Sequence, residues 1–297
     1  MRVGMTMNQR PEPRLIPRAT IRENVTLDTV ACALENQFEI MFGEFLRFTK
    51  DELSGKIGLG GEDRQGQDWP AGVTVTSEDP DKKEIIEAQM AVLAEIANKD
   101  TMADSDPARY RDALLAIYQE ISCSPDGFAD ALVVGIQREG FWLAKDLGFA
   151  VDNESAYCPH AKRMHYEGGV VVGLEEHNKT PEGKARAVIV DGAIATGATI
   201  ITIMVKLKSM GIKSITTISA HSTEFAVHRI AAFAEELAME CDIRIGHVSG
   251  RLNGHHYAVE DVRGEDRAEE LLVVGDLGDT LEGVYMDQAG TDGSNRN

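Results

Sequence analysis

Residues 188–199, VIVDGAIATGAT, place one carboxylate, Asp191, directly after an apolar run and ahead of a stretch with almost no side chains. The chemistry open to such a stretch is that of its backbone. Small residues let a ligand approach main-chain N–H groups. If a helix opens near Thr199, its first amides point outward unpaired at the positive end of the helix dipole, which suits a phosphate. No Lys follows the glycine, so this is not a P-loop, and it lacks the G-x-G-x-x-G dinucleotide fingerprint. Read alone, a small-residue loop after a strand is as often only a tight turn. The carboxylate sharpens the reading. Asp191 cannot bind a phosphate, but it can accept two hydrogen bonds from a vicinal diol a few ångströms away. Ribose 5-phosphate carries both groups. A second stretch, ALVVGIQREGFWLAKDLG (131–148), sets Arg138 and Gly140 at the end of another apolar run, an arrangement suited to a second anion.

Those residues need a sheet to hold them. From about residue 126, short apolar runs of strand length alternate with segments of helical period. The runs are ALVVGI (131–136), YCPHAKRMH (157–165), GGVVVGLEE (168–176), RAVIVDG (186–192), SITTISAHS (214–222), IRIGHVSG (243–250) and LLVVGD (271–276). FWLAKDLG, TIITIMVKLKSMG and EFAVHRIAAFAEELAME are the helical ones, with Gly148 and Gly211 placed to stop two of them. This alternation implies an α/β fold with a mostly parallel sheet flanked by helices. Upstream, apolar positions three or four apart predict an amphipathic helix over 24–49. A loop or short hairpin is expected over 56–80, and further helices over 83–97 and 106–121. The expected organisation is a mainly helical N-terminal extension (1–105, an arm or lid), an α/β domain (106–286) and a disordered tail (287–297).

Composition narrows the classes. The chain of 297 residues is 43% hydrophobic and 27% charged, enough to bury a substantial core. No apolar run approaches the ~18 residues of a membrane span, and the N-terminus lacks a secretory signal, so no membrane partner and a cytoplasmic location are expected. A formal net charge of −19 with scattered basic residues argues against nucleic acid as partner. Cys32, Cys123, Cys158 and Cys241 lie far apart without a C-x-x-C pair and read as reduced packing residues. Three further features have bland readings. His255 and His256, adjacent on an extended segment, point to opposite faces and read as a polar loop rather than a metal site. His221 reads equally as a ligand contact or a solvated strand end. GLGG at 58–61 has no strand before it and resembles a phosphate loop by composition only.

The segment from Asp191 to Thr199, D-G-A-I-A-T-G-A-T, resembles the phosphoribosyl pyrophosphate motif of type I phosphoribosyltransferases. It is most similar to that of the uracil phosphoribosyltransferases, D-P-M-L-A-T-G-G-S. Three more segments resemble that family in its order. Arg138-Glu139-Gly140 stands where the family has its R-A-G loop, RLNGHHY (251–257) resembles the segment preceding the uracil-binding hood, and VVGDLGDT (273–280) resembles G-L-G-D-A-G-D-R. The likeness covers roughly residues 128–283 and implies a hood near 251–283.

Carried over residue by residue, it assigns Asp191 to the ribose hydroxyls and Ala195, Thr196, Gly197, Ala198 and Thr199 to the 5-phosphate. Arg138, Gly140 and Arg163 would face pyrophosphate, while Val274, Gly275 and Asp276 would lie at the base. Asp191, Arg138 and Asp276 would be catalytic, with Asp276 near the metal-bound pyrophosphate. The resemblance implies Mg²⁺ as cofactor, phosphoribosyl pyrophosphate and a nucleobase as partners, and a homo-oligomer, dimer or higher. The expected reaction joins ribose 5-phosphate to uracil or a uracil-like base, giving UMP or an analogue as in pyrimidine salvage. Thr280 in place of the family's Arg, Leu272-Val273 in place of Pro-Gly, and the acidic insertion before Leu271 bear on the base rather than on the ribose half. Two alternatives stay open: another heterocyclic acceptor, and a regulator of this fold that binds nucleotide without turnover.

Overall fold

The structure is a computed structural model. It describes residues 45–49, 68–97, 107–121, 124–136, 139–149, 151, 156–166, 169–176 and 183–249. Its elements in chain order are β1 (Phe45–Thr49), β2 (Val73–Val75), α1 (Pro80–Ala97), α2 (Pro107–Glu120), β3 (Leu132–Gly135), α3 (Glu139–Asp146), β4 (Ala156–Tyr157), β5 (Pro159–Tyr166), β6 (Gly169–Glu176), β7 (Arg186–Ile194), α4 (Ala198–Ser209), β8 (Ser214–Thr223), α5 (Glu224–Glu236) and β9 (Glu240–Ser249).

Six strands form one sheet in the order β2-β9-β8-β7-β3-β4, with every neighbouring pair parallel. Parallel neighbours need crossover connections, and α3, α4 and α5 supply them. β3 and the first half of β7 carry continuous apolar runs because both faces are covered. Ile86 and Leu93 of α1, Leu114 and Ile117 of α2 and Leu143 of α3 pack on one face. Ile200, Ile201, Ile203, Met204 and Leu207 of α4, with Ala226, Val227 and Ile230 of α5, pack on the other. The β-branched run of α4 is a poor intrinsic helix former, so that helix rests on burial, at about 1.5–3 kcal/mol for each large side chain. Gly148 and Gly211 both take positive φ, 84° and 87°, and close α3 and α4 as expected. Burial pushes the Cys158 thiol up to about 11 and the Cys241 thiol up to about 12, in keeping with packing residues.

Sequence expectations are corrected at three places. Phe45–Thr49, the end of the helix expected over 24–49, is a strand that pairs antiparallel with β6. Cross-strand pairing overrides its helix-like apolar spacing. β5 and β6, with only residues 167 and 168 between them, cannot make a crossover. They pair antiparallel and, with β1, form a separate three-stranded sheet over α4. Val73–Val75, within the loop or hairpin expected over 56–80, adds a strand to the edge of the main sheet beside β9. Helix α1, which follows it, packs on α2. Among the described residues, no helix is long and apolar enough to cross a membrane.

Candidate active site

The sheet changes winding direction between β3 and β7. From β3 the chain passes through α3 to β4 on one side; from β7 it passes through α4 to β8 on the other. Open α/β sheets bind ligands outside the carboxyl ends of their strands at such a point. β3 ends at Gly135, opposite Val190, whereas β7 runs on to Ile194 beside β8. The expected loop over 192–197 is therefore shorter. Gly192–Ile194 are extended because β8 is long enough to pair with them, and only Ala195–Gly197 bend before α4 begins at Ala198.

The carbonyls of this segment are held from the β8 and α5 side. Thr223 Oγ1 donates to Ala195 O at 2.6 Å and Arg229 Nη1 to Thr196 O at 3.2 Å, while the Ser219 hydroxyl is shared between Gly192 O at 3.0 Å and His221 O at 2.8 Å and the Ser222 hydroxyl between Ile194 O at 3.3 Å and Thr223 O at 3.2 Å. A trans peptide points its C=O and N–H in opposite directions. The amides of Ala195, Thr196 and Gly197 consequently face away from β8, toward the crevice at the switch point. Gly197, at φ 75°, then turns the chain into α4; it offers no side-chain cap, and the first amide of the helix, Ala198 N, makes only a long bond of 3.4 Å to Thr196 Oγ1. α5 differs: its N-cap Thr223 accepts a bond from Ala226 N at 3.1 Å. The first turn of α4 also contains no acidic residue. Successive outward amides at a weakly capped helix start are an arrangement that suits an anion.

Asp191 stands at the point where β7 outruns β3. The Tyr118 hydroxyl, reaching up from α2, donates to its backbone carbonyl and fixes it there. Burial pushes its carboxyl up to about 7, against the smaller opposing pull of the Arg163 guanidinium and of the Gly192 amide. Arg163 projects from the centre of β5, and its Nε and Nη2 donate to Thr199 Oγ1 at 3.2 and 2.8 Å. One cation thus faces both the carboxylate and the hydroxyl of the first turn of α4. Gly140, in the first turn of α3, lies so close to β7 that a Cβ there would sit 2.1 Å from Val190 O. Its smallness brings the start of α3 up to the crevice.

Of the expected site residues, Asp191, Ala195, Thr196, Gly197, Ala198, Thr199, Arg163 and Gly140 border this crevice. Arg138, Val274, Gly275 and Asp276 lie outside the described residues, as do the hood segment, His255, His256, Cys32 and Cys123. His221 is not a solvated strand end. It is 2% exposed and stacks on His247 with ring centroids 5.8 Å apart. The sequence reading missed Ser219, Ser222, Thr223, Arg229 and Tyr118. A signal existed for three of them: SITTISAHST is unusually rich in hydroxyls for a central strand, and buried hydroxyls need partners.

No family model and no curated protein sequence matches the chain. Several solved structures are similar to it. The AQ2163 protein from Aquifex aeolicus is 18% identical with a TM-score of 0.45, over 70% of this chain and 97% of that one. An adenine phosphoribosyltransferase from Giardia lamblia, solved with 9-deazaadenine, is 18% identical with a TM-score of 0.34, over 47% and 81%. An orotate phosphoribosyltransferase from Aeropyrum pernix is 18% identical with a TM-score of 0.33, over 48% and 73%. These are likenesses of backbone at low identity, and none gives a residue of this chain a role.

Proposed function

We propose that this chain transfers ribose 5-phosphate from phosphoribosyl pyrophosphate to a ring nitrogen of a uracil-like base, releasing pyrophosphate. The observation that carries the reading is the placement of Asp191 directly ahead of the outward amides of 195–197 at the switch point. One end of such a site takes a phosphate and the other a diol, and a ribose 5-phosphate spans them.

In the reaction the bond from the anomeric carbon to pyrophosphate breaks, its electron pair leaving on the pyrophosphate oxygen. A base nitrogen bonds to the same carbon and gives up its proton. Positive charge grows on the ribose in between, so orientation and charge stabilisation supply most of the catalysis. The amides of Ala195, Thr196 and Gly197, with the first turn of α4, hold the 5-phosphate. Asp191, once ionised, accepts the two ribose hydroxyls and places an anion beside the developing charge. Arg163, exposed and adjacent, is free to turn from Thr199 to the leaving group, with Arg138 assigned the same task by the family likeness. Among the described residues no group of three or more His, Cys, Asp or Glu could hold a metal. Asp276, given this part by the family likeness, would hold Mg²⁺, and the ion would supply charge neutralisation for the leaving group.

The test is incubation of the full chain with phosphoribosyl pyrophosphate, Mg²⁺ and a panel of bases while pyrophosphate is monitored. Release with uracil or a uracil-like base is expected. Tight binding of phosphoribosyl pyrophosphate with no release on any base would sink the enzyme reading, and release with purines alone would sink the acceptor.

A further inference from the structure

We infer that Arg229 and Thr223 are positioning residues for the phosphate seat: by holding the carbonyls of Thr196 and Ala195 from behind, they aim consecutive amides at the bound anion. The inference rests on the phosphoribosyl reading of the crevice and names the parts that tune it. Neither residue touches the ligand in this scheme. Both act through the peptide planes they fix.

Two features separate these contacts from ordinary loop packing. Thr223 uses one hydroxyl twice, donating to Ala195 O at 2.6 Å and accepting from Ala226 N at 3.1 Å. The start of α5 and the bend before α4 therefore share one atom. Arg229, on the second turn of α5, is 7% exposed, with its guanidinium carbon 4.9 Å from the Phe48 ring centroid and 5.7 Å from that of Phe225. Clamped between aromatic faces, the guanidinium is rigid, and its bond to Thr196 O at 3.2 Å fixes the peptide joining Thr196 to Gly197. Those faces come from β1 and α5, so the small antiparallel sheet and the main domain meet on the residue that sets this amide. Release of Thr196 O would let that peptide rotate and present an oxygen where the phosphate requires an N–H.

The roles separate by ligand. Ribose 5-phosphate uses the seat, while ribose, which has the hydroxyls and no phosphate, reports on the Asp191 end of the crevice. Affinities of the full chain for both are measured by titration calorimetry at pH 8 with Mg²⁺, for wild type, Arg229→Met, Thr223→Val and Thr223→Ser, after thermal unfolding has verified that each is folded. Arg229→Met and Thr223→Val are expected to lose about ten-fold or more in ribose 5-phosphate affinity, as for loss of a preorganised hydrogen bond. Ribose affinity stays within about two-fold in both. Thr223→Ser, which keeps the hydroxyl, retains wild-type affinity for both. In turnover, Arg229→Met raises KM for phosphoribosyl pyrophosphate more than it lowers kcat. Equal affinity of wild type and both variants for ribose 5-phosphate would overturn the inference and leave the proposed function standing. Parallel loss of both ligands would overturn it by marking general distortion. Failure of wild type to bind ribose 5-phosphate at all would overturn both.

Discussion

Asp191→Asn tests the electrostatics of the crevice through stability as well as function. Asp191 is partly buried, and its carboxyl is raised from 3.8 to about 7, chiefly by desolvation. The unfolded chain ionises this group near 3.8 and the folded chain only near 7. Between those values the folded state holds the extra proton, so the stability it contributes is present at low pH and lost as pH rises through 7. At about 1.4 kcal/mol per pH unit, the raised carboxyl lowers stability, relative to its value at low pH, by about 4 kcal/mol at pH 8 and by under about 2 kcal/mol at pH 5. Residual solvent access reduces both figures, to about half at the least. Asn keeps the shape and removes the charge. Its melting temperature should therefore exceed wild type by about 5–10 °C at pH 8, and by clearly less at pH 5. Differential scanning calorimetry of both proteins at the two pH values measures this, and other titrating groups cancel in the difference. The same variant should lose ribose 5-phosphate binding. In wild type that affinity should fall about ten-fold per pH unit below 7 beyond the ligand's own titration, because only the carboxylate accepts both hydroxyls. Equal melting shifts at pH 5 and pH 8, or a less stable variant at pH 8, would refute the reasoning.

Arg163→Met should weaken phosphoribosyl pyrophosphate binding by about ten-fold or more and move the Asp191-dependent pH profile upward, since this guanidinium favours the carboxylate; calorimetry across pH reads both. Gly140→Ala forces a Cβ to 2.1 Å from Val190 O, so α3 must shift. A loss of about 1–3 kcal/mol or more in denaturant unfolding is expected, with loss of activity. Gly197→Ala meets φ 75° and Ile230 Cγ1 at 3.2 Å, and should cost about 1–2 kcal/mol while weakening ribose 5-phosphate binding. Burial holds His247 below its ordinary 6.5, against the smaller opposing pull of Glu87. The unfolded chain takes up that proton first, so this contribution to stability is lost as pH falls below 6.5. A His247→Gln variant should lose that part of the acid sensitivity in thermal melts.

The parts of the fold that were legible are those in which local chemistry and tertiary context agree. Helices expected over 83–97 and 106–121 occur as Pro80–Ala97 and Pro107–Glu120. Gly148 and Gly211 end their helices because positive φ is a local requirement. Phe45–Thr49 was misread because three- and four-residue spacing is a property of the segment alone, whereas the strand partner β6 lies over a hundred residues away. The placement of Asp191 at a strand end, with a small-residue bend and a helix after it, was legible because the apolar run, the small residues and the helical period follow one another locally. The clamp behind them was not. Ser219, Ser222, Thr223 and Arg229 make bonds to backbone oxygens 27–33 residues distant, and nothing in their types discloses which carbonyl each will meet.

The crevice carries two unfavourable features at once: a helix start with only a long bond to Thr196 Oγ1 and a carboxyl that desolvation keeps largely protonated until pH 7. A phosphate alone relieves the first by taking the amides of α4, yet its charge pushes the Asp191 carboxyl still higher. A diol alone relieves only the second, since two hydroxyl donors favour the carboxylate. A ligand with both groups on one rigid ring relieves each with the matching end, and the ring holds its phosphate clear of the carboxylate. Ribose 5-phosphate should therefore bind more tightly than ribose and inorganic phosphate added together would suggest. That excess should vanish in Asp191→Asn, where the carboxylate end no longer rewards the hydroxyls.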